Sequence, residues 1–309
     1  MIVFICPIRH PHNSKDYSKV ENLLQRTLVS VCRQTDTSFR VVVVCNQIPK
    51  FATQFDKVDF LKVDFSPLKR ERGVKPSAEN VHKDKGTKYF SGLLHAKRKY
   101  NPEYVMFFDG DDLVSNRVAE YVNSHPGENG WFFRDGYVYA DGIMYLMRKK
   151  NFHLACGTCN IISSKLLKIP EDFPQAPSQE QILSNPESRR VFDIIKGHAD
   201  IQPLFERMGK PLLPLPFPGA IWVVNHGEND SVNKGISALI GSPISRENCD
   251  EFALDLKQFS IIEHMLYLMK WPSAILISLR LFIFRDMYHK SRKKLKYFIL
   301  SIMHQGNLS

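Results

Sequence analysis

An α/β fold, with an open mixed sheet flanked by helices and a helical extension at the C-terminus, is what this sequence predicts. Short apolar runs of strand length recur at residues 2–6, 40–45 and 105–108, each closed by Pro, Asn or Asp. The segment at 20–33 between the first two runs carries apolar residues at helical spacing, through Leu23, Leu24, Leu28 and Val31. Polar residues gather where the strands stop, as they do in open sheets that bind ligands beyond their carboxyl ends. With 309 residues, 43% hydrophobic and 24% charged, the chain can bury a sizeable core as one large domain, or a domain with an appendage. The formal net charge of +10 favours anionic partners such as phosphates, nucleic acid or an acidic membrane surface.

The first strand, IVFIC, is stopped by Pro7 and followed by a loop carrying Arg9, His10 and His12. Arg9 suits a phosphate or a base, or is a surface arginine. The two histidines fit a solvated loop better than a metal. The second strand, 40–45, ends at Asn46, and a third at 60–63 ends beside Asp64. Residues 66–88 are polar and basic, with Lys69, Arg70, Arg72, Lys75, Lys83, Lys85 and Lys88 among them. They read as a mobile loop over an anionic ligand, or simply as a solvated one. On this reading a helix at 89–99 opens just after Lys85 and Lys88, which then stand where a diphosphate would be held. Neither a P-loop nor a G-x-G-x-x-G is present, so a dinucleotide cofactor is not expected.

The chemistry concentrates at 104–115, YVMFFDGDDLVS. A buried apolar run leads straight into Asp109, Asp111 and Asp112. Alternation along an extended backbone would put Asp109 and Asp111 on one face and Asp112 on the other. Gly110 would let a ligand approach the backbone. Crowded carboxylates repel unless a cation neutralises them, and Mg2+ or Mn2+ takes such oxygens together with substrate phosphates. The alternative is a solvated turn, with Asp112 capping a helix at 113–121.

Later features are weaker alone. Strands are expected at 130–133 and 136–139. The pair Cys156 and Cys159 cannot complete a four-ligand zinc site and reads as buried free thiols. Residues 169–189 read as a surface loop. GHAD at 197–200 precedes a helix at 201–208 that ends at Gly209, with Asp200 at the capping position. A strand at 220–224 runs into Asn225, His226 and Gly227; a satisfied loop histidine is the plain reading of His226. From about residue 259 apolar and basic blocks alternate, with Arg285, Lys290, Arg292, Lys293, Lys294 and Lys296. This suits a helix lying in an anionic membrane interface, or an appendage packing on protein. No apolar stretch there reaches the roughly 20 residues of a span. The N-terminus opens directly on a strand and the cysteines form no secreted framework, so a cytoplasmic setting is expected, peripheral on the membrane if the tail binds it. Asn229-Asp230-Ser231 matches a glycosylation acceptor of the kind that arises by chance.

Four of these places together resemble the GT-A glycosyltransferases of the family 2 kind: the opening IVFICPIRH with its helix and VVVVCN, the DGDD segment, GHAD, and VVNHGEN. Their order and spacing agree over about residues 1–235. The resemblance implies a GT-A domain over 1–245 and a basic, apolar extension over 246–309. It implies a sugar transferred from a nucleoside-diphosphate sugar to a hydroxyl on a glycan or glycolipid, in polysaccharide or glycolipid assembly. Asp111, Asp109 and His226 would serve Mn2+ or Mg2+. Pro7, Arg9, Asn46, Asp64, Lys85, Lys88, Asp109 and Gly110 would line the nucleotide-sugar, and Asp200 would be the base of an inverting reaction. Two departures stand out: Asn46 replaces the usual Asp, and His198-Ala199-Asp200 lacks the usual Glu. A nucleotidyltransferase would want a glycine-rich loop after the first strand, and this loop has none. A non-enzymatic basic protein on a membrane is the remaining alternative. Nucleic acid is not an expected partner, because the densest basic cluster lies in the membrane-like tail.

Overall fold

The computed structural model describes residues 1–68, 77–142, 145–224, 226–228 and 241–255. The chain opens with β1 (Ile2–Pro7), then α1 (Tyr17–Val31), which Asp16 caps by accepting the Lys19 N–H. The strands β2 (Phe39–Cys45) and β3 (Val58–Lys62) follow, then α2 (Ala78–Tyr100) and β4 (Tyr104–Phe107). Next come β5 (Leu113–Val114), α3 (Val118–Ser124), β6 (Gly130–Phe132), β7 (Asp135–Ala140), β8 (Tyr145–Lys150) and β9 (Asn160–Ser163). The rest comprises α4 (Gln179–Ser184), α5 (Pro186–Ile195), α6 (Ile201–Arg207), β10 (Leu213–Pro214), β11 (Ala220–Val224), β12 (Ser242–Pro243) and α7 (Arg246–Phe252).

The main sheet is mixed, in the order β10-β6-β9-β4-β1-β2-β3. The four strands from β4 to β3 run parallel, whereas β9 is antiparallel to both β4 and β6. Parallel strands need both faces covered, and the alternation along β1 and β2 provides for it. Ile2, Phe4, Cys6, Val41 and Val43 pack on one side with α1 and α3 residues such as Leu24, Leu28 and Val122. Val3, Ile5, Val42 and Val44 pack on the other with Phe90 and Leu93 of α2, Val191 and Ile195 of α5, and Phe205 of α6. A smaller sheet, β12-β8-β7-β11-β5, stands beside it, and Phe252 and Leu254 at the end of α7 are buried against its Leu113, Ile221 and Val223. The expected open mixed sheet with flanking helices is therefore what the chain forms.

Several local expectations are corrected. The basic stretch before residue 89 is largely helix: α2 starts at Ala78, with Ser77 accepting the Asn80 N–H as its cap. Its inward face carries Asp84, Gly86, Thr87, Lys88 and Ser91, so hydropathy gave no helical period there. Lys85 and Lys88 consequently lie inside the helix, not at its start. Residues 113–121 do not form one helix; Leu113–Val114 is a strand and α3 begins at Val118. The stretch 169–189 is not a continuous loop, because a Ser178–Gln181 capping box starts α4 and Asn185 caps α5 immediately after it. β8 was not anticipated. Residues 69–76 of the basic stretch, the triplet 229–231 and the tail 256–309 lie outside the described residues. No described helix is long and apolar enough to cross a membrane.

Candidate active site

The carboxylates after β4 stand at the centre of the main sheet, where β4 lies between β1 and β9. Strand pairing stops at Phe107, and the Asp112 N–H turns back to the Asp109 carbonyl at 3.3 Å. Asp109 and Asp111 are half-buried and both act on Lys85, whereas Asp112 is buried. Each has a different environment.

Asp109 meets Lys85 Nζ at 2.5 Å, and the Tyr89 hydroxyl donates to it at 3.4 Å. Burial works to raise its pKa, but the charge and hydrogen bond of Lys85 outweigh that and hold the carboxyl below its ordinary range. The reciprocal effect acts on Lys85: burial opposes its charge, yet Asp109 prevails and its pKa is raised. A glycine makes this contact possible. A Cβ on Gly157 would collide with Asp109 Oδ2 and come to 3.0 Å of Lys85 Nζ.

Asp112 is buried and structural. Its Oδ2 accepts from the Thr158 hydroxyl at 2.5 Å and from the Cys156 thiol at 3.1 Å, and its Oδ1 accepts the Val223 N–H at 3.1 Å. Burial, reinforced by Asp111 and Asp109, pushes its pKa well above the carboxylate range. The Thr158 hydroxyl also accepts the Asp109 N–H at 2.9 Å. One threonine thus joins the first and third aspartates. Cys156 and Cys159 are buried free thiols, as expected.

Asp111 faces His226, with Oδ2 3.1 Å from Nε2. The imidazole side chain is fully buried and Asp111 is 26% exposed. The distance is that of an ion pair, yet Nε2 has no aligned hydrogen-bond partner. Its other nitrogen, Nδ1, accepts the Glu228 N–H at 3.3 Å. A buried nitrogen without an aligned hydrogen bond, beside a partly open carboxylate, fits a hard divalent cation as two protein ligands. No group of three or more His, Cys, Asp or Glu converges among the described residues. Phosphate oxygens and water would have to complete the shell, a common pattern for Mg2+. Metal at Nε2 would move the ring hydrogen to Nδ1, so the long Glu228 contact would have to open.

Glu228 ties this loop to the one after β1. Its carboxylate accepts the Lys15 and Asp16 N–H groups, at 3.2 and 3.0 Å, and pairs with Arg9 at 3.4 Å. Arg9 is thus engaged with Glu228 beside the histidine. Pro7 is half-buried at the end of β1. Gly110 is half-buried, and a Cβ there would meet the Ile8 side chain, so its core-facing side admits only glycine. Asn46 donates from Nδ2 to the carbonyls of Val63 and Phe65, at 3.2 and 2.8 Å. Asp64 is exposed just past β3.

Lys88 is also corrected. It is fully buried, donating to the Ile8 carbonyl at 2.8 Å and to Asp84 at 3.0 Å. It is an internal strut holding the loop after β1, not a cation open to phosphate.

Asp200 is exposed just before α6, and its side chain makes no capping hydrogen bond. The carboxylate is therefore not spent on the helix. On α2, His82, Lys85 and Tyr89 follow at helical spacing and share a face. His82 feels the charge of Asp200, and Lys85 and Tyr89 reach Asp109. Seven residues of helix separate the ends of this face, about 10 Å. His198 sits between them, its pKa lowered first by burial and then by Lys85, with Asp109 opposing. The Asn160 amide, from the first residue of β9, donates to the His198 carbonyl at 3.1 Å and ties the GHAD turn to the sheet. Tyr89, Thr158, Asn160 and Glu228 were not picked out beforehand. Only Glu228 carried a signal, two residues beyond the histidine; Thr158 was hidden in a pattern read for its sulfurs.

No protein-family description and no curated protein matches the chain. Among solved structures, S. aureus TarS (residues 1–349) is 13% identical with a TM-score of 0.36, over 72% of this chain and 60% of that one. The mannosyltransferase PcManGT from Pyrobaculum calidifontis, solved with GDP-Man and Mn2+, is 13% identical with a TM-score of 0.37, over 71% and 56%. The bifunctional IspDF from Campylobacter jejuni is 13% identical with a TM-score of 0.32, over 84% and 54%. The chain spans little more than half the length of these proteins. Likeness at this level carries no assignment of residues or of activity.

Proposed function

We propose that this chain is a metal-dependent glycosyltransferase of the GT-A kind that moves a sugar from a nucleoside-diphosphate sugar to a hydroxyl acceptor. The observation that supports it most is the pairing of Asp111 with a buried His226, far apart in sequence, at the carboxyl end of β4. Ligands in open α/β sheets bind beyond such ends. A divalent cation held by these two residues would supply Lewis acidity to the departing diphosphate. Asp109, kept ionised by Lys85, would accept hydrogen bonds from the donor's ribose, and Lys85 would contribute positive charge beside it. Asp200 takes the proton of the acceptor hydroxyl as the new bond forms, and attack from the face opposite the diphosphate inverts the anomeric centre. This exposed carboxylate would be desolvated by the acceptor itself. The acceptor is a glycan or glycolipid, and the segment 246–309 extends a catalytic part at 1–245, with its basic tail on an anionic membrane surface.

A melting panel of nucleoside diphosphates with and without Mn2+ tests the core of this reading. One diphosphate is expected to stabilise the protein only with the metal, and Asp111→Asn to abolish that stabilisation while leaving the unliganded melting temperature nearly unchanged. Equal stabilisation of Asp111→Asn would refute the metal role. NMR of the product decides inversion.

A further inference from the structure

Glu228 joins two groups that the transferase reading gives to different ligands. Its backbone N–H donates to His226 Nδ1 at 3.3 Å, on the ring whose Nε2 faces Asp111. Its carboxylate lies 3.4 Å from Arg9 Nη1, a contact that spans 219 residues of sequence. One residue therefore touches the cation side with its backbone and the donor side with its side chain.

The carboxylate is firmly held. Glu228 is 5% exposed. Oε1 accepts the Asp16 N–H at 3.0 Å and the Lys15 N–H at 3.2 Å, and Oε2 shares the latter at 3.3 Å. Both N–H groups stand at the start of the 15-residue α1, where the helix dipole favours an anion. Lys15 Nζ also donates to the Gly227 carbonyl at 3.3 Å. The 226–228 turn and the start of α1 are thus fastened together, and the Glu228 N–H cannot leave the imidazole without straining the bonds of its own carboxylate.

Each ligand of the proposed reaction conflicts with one half of this arrangement. A cation needs the lone pair of Nε2, which puts the ring hydrogen on Nδ1, against the Glu228 N–H. A diphosphate needs the Arg9 guanidinium, which is 23% exposed and held by a carboxylate that would repel phosphate. Withdrawal of Glu228 relieves both conflicts in one movement. The ligand that arrives first bears the cost of that movement, and the second binds without it.

This inference rests on the reading of Asp111 and His226 as cation ligands and of Arg9 as a diphosphate contact. We propose that Glu228 is a positioning residue that latches the unliganded site and makes the cation and the diphosphate bind cooperatively. Charge alone argues the other way for the metal: loss of a carboxylate near a cation should weaken it. A residue that only braced the fold would also weaken binding when removed. A latch, once removed, strengthens it.

The test measures, by calorimetry on the full chain, the affinities of Mn2+ alone, of inorganic pyrophosphate alone, and of each in the presence of the other. Glu228→Ala is expected to bind either ligand alone about tenfold more tightly than the parent, the effect of one hydrogen bond to a charged group. The factor by which each ligand helps the other should shrink by about the same tenfold. Should Glu228→Ala fail to fold, Glu228→Gln keeps an oxygen for the Lys15 and Asp16 N–H groups and removes the charge beside Arg9. It is expected to bind pyrophosphate alone more tightly. If either ligand alone binds Glu228→Ala no better than the parent, or pyrophosphate alone binds Glu228→Gln no better, the latch is overturned and the transferase reading stands. Failure of the parent to bind Mn2+ and pyrophosphate even together overturns both.

Discussion

Replacing Lys88 by Met separates two roles that a lysine near a diphosphate site can have. Met keeps most of the aliphatic stem of this fully buried side chain and removes the charge. Two hydrogen bonds go with it, at 2.8 Å to the Ile8 carbonyl and 3.0 Å to Asp84. Asp84 is then left with no partner for either carboxylate oxygen, since Oδ1 has none already. Breaking a buried pair from one side costs about 3–5 kcal/mol. Escape by taking up a proton limits the loss, because neutralising an ordinary carboxylate at pH 7 costs about 4 kcal/mol. The expected destabilisation of Lys88→Met is therefore about 3–4 kcal/mol, read as a fall in the urea midpoint with unchanged slope. Adding Asp84→Asn should recover about half of it, since the stranded charge is gone and only ordinary hydrogen bonds are lost. A loss below about 1 kcal/mol, together with a large loss of nucleotide affinity, would refute the strut and restore Lys88 as a phosphate contact.

Two more outcomes follow from the packing. Gly157→Ala places a methyl against the Asp109 carboxylate and Lys85. It should destabilise by about 1–3 kcal/mol and weaken metal-dependent nucleotide binding by about tenfold or more; a variant with the parent's affinity would show that the Lys85–Asp109 contact is not used. Asp59 accepts from Lys99 at 2.8 Å and Tyr100 at 2.7 Å and meets His95 at 2.7 Å. Burial raises its pKa, but these hydrogen bonds outweigh that and hold it below the ordinary range. A depressed carboxylate adds stability that is present above about pH 4 and lost as pH falls through its folded value. The melting-temperature gap between the parent and Asp59→Asn should therefore be full at pH 7 and close below pH 4; a gap constant down to pH 3 would contradict it.

How much of this was legible beforehand depended on which faces were apolar. The central strands β1, β2 and β4 and the helix α1 declare themselves because their buried residues are Val, Ile, Phe and Leu. The first half of α2 does not, because what it buries there is Asp84, Thr87 and Lys88. Those groups are acceptable inside only through partners on other elements, and local pattern carries no record of partners. The same reason hid Thr158, whose importance is that it bridges two aspartates 46 and 49 residues away.

By itself the amino-acid order determined the α/β class and the place of the acidic turn after β4, since strand burial and turn chemistry are local properties. Only the tertiary structure decided what each polar residue does. Asp109 belongs to Lys85, Asp111 to His226 and Asp112 to Thr158 and the Val223 backbone. The assignments of charge, hydrogen bond and burial are made across long sequence separations, and the energies that distinguish a ligand from a strut exist only once those partners have met.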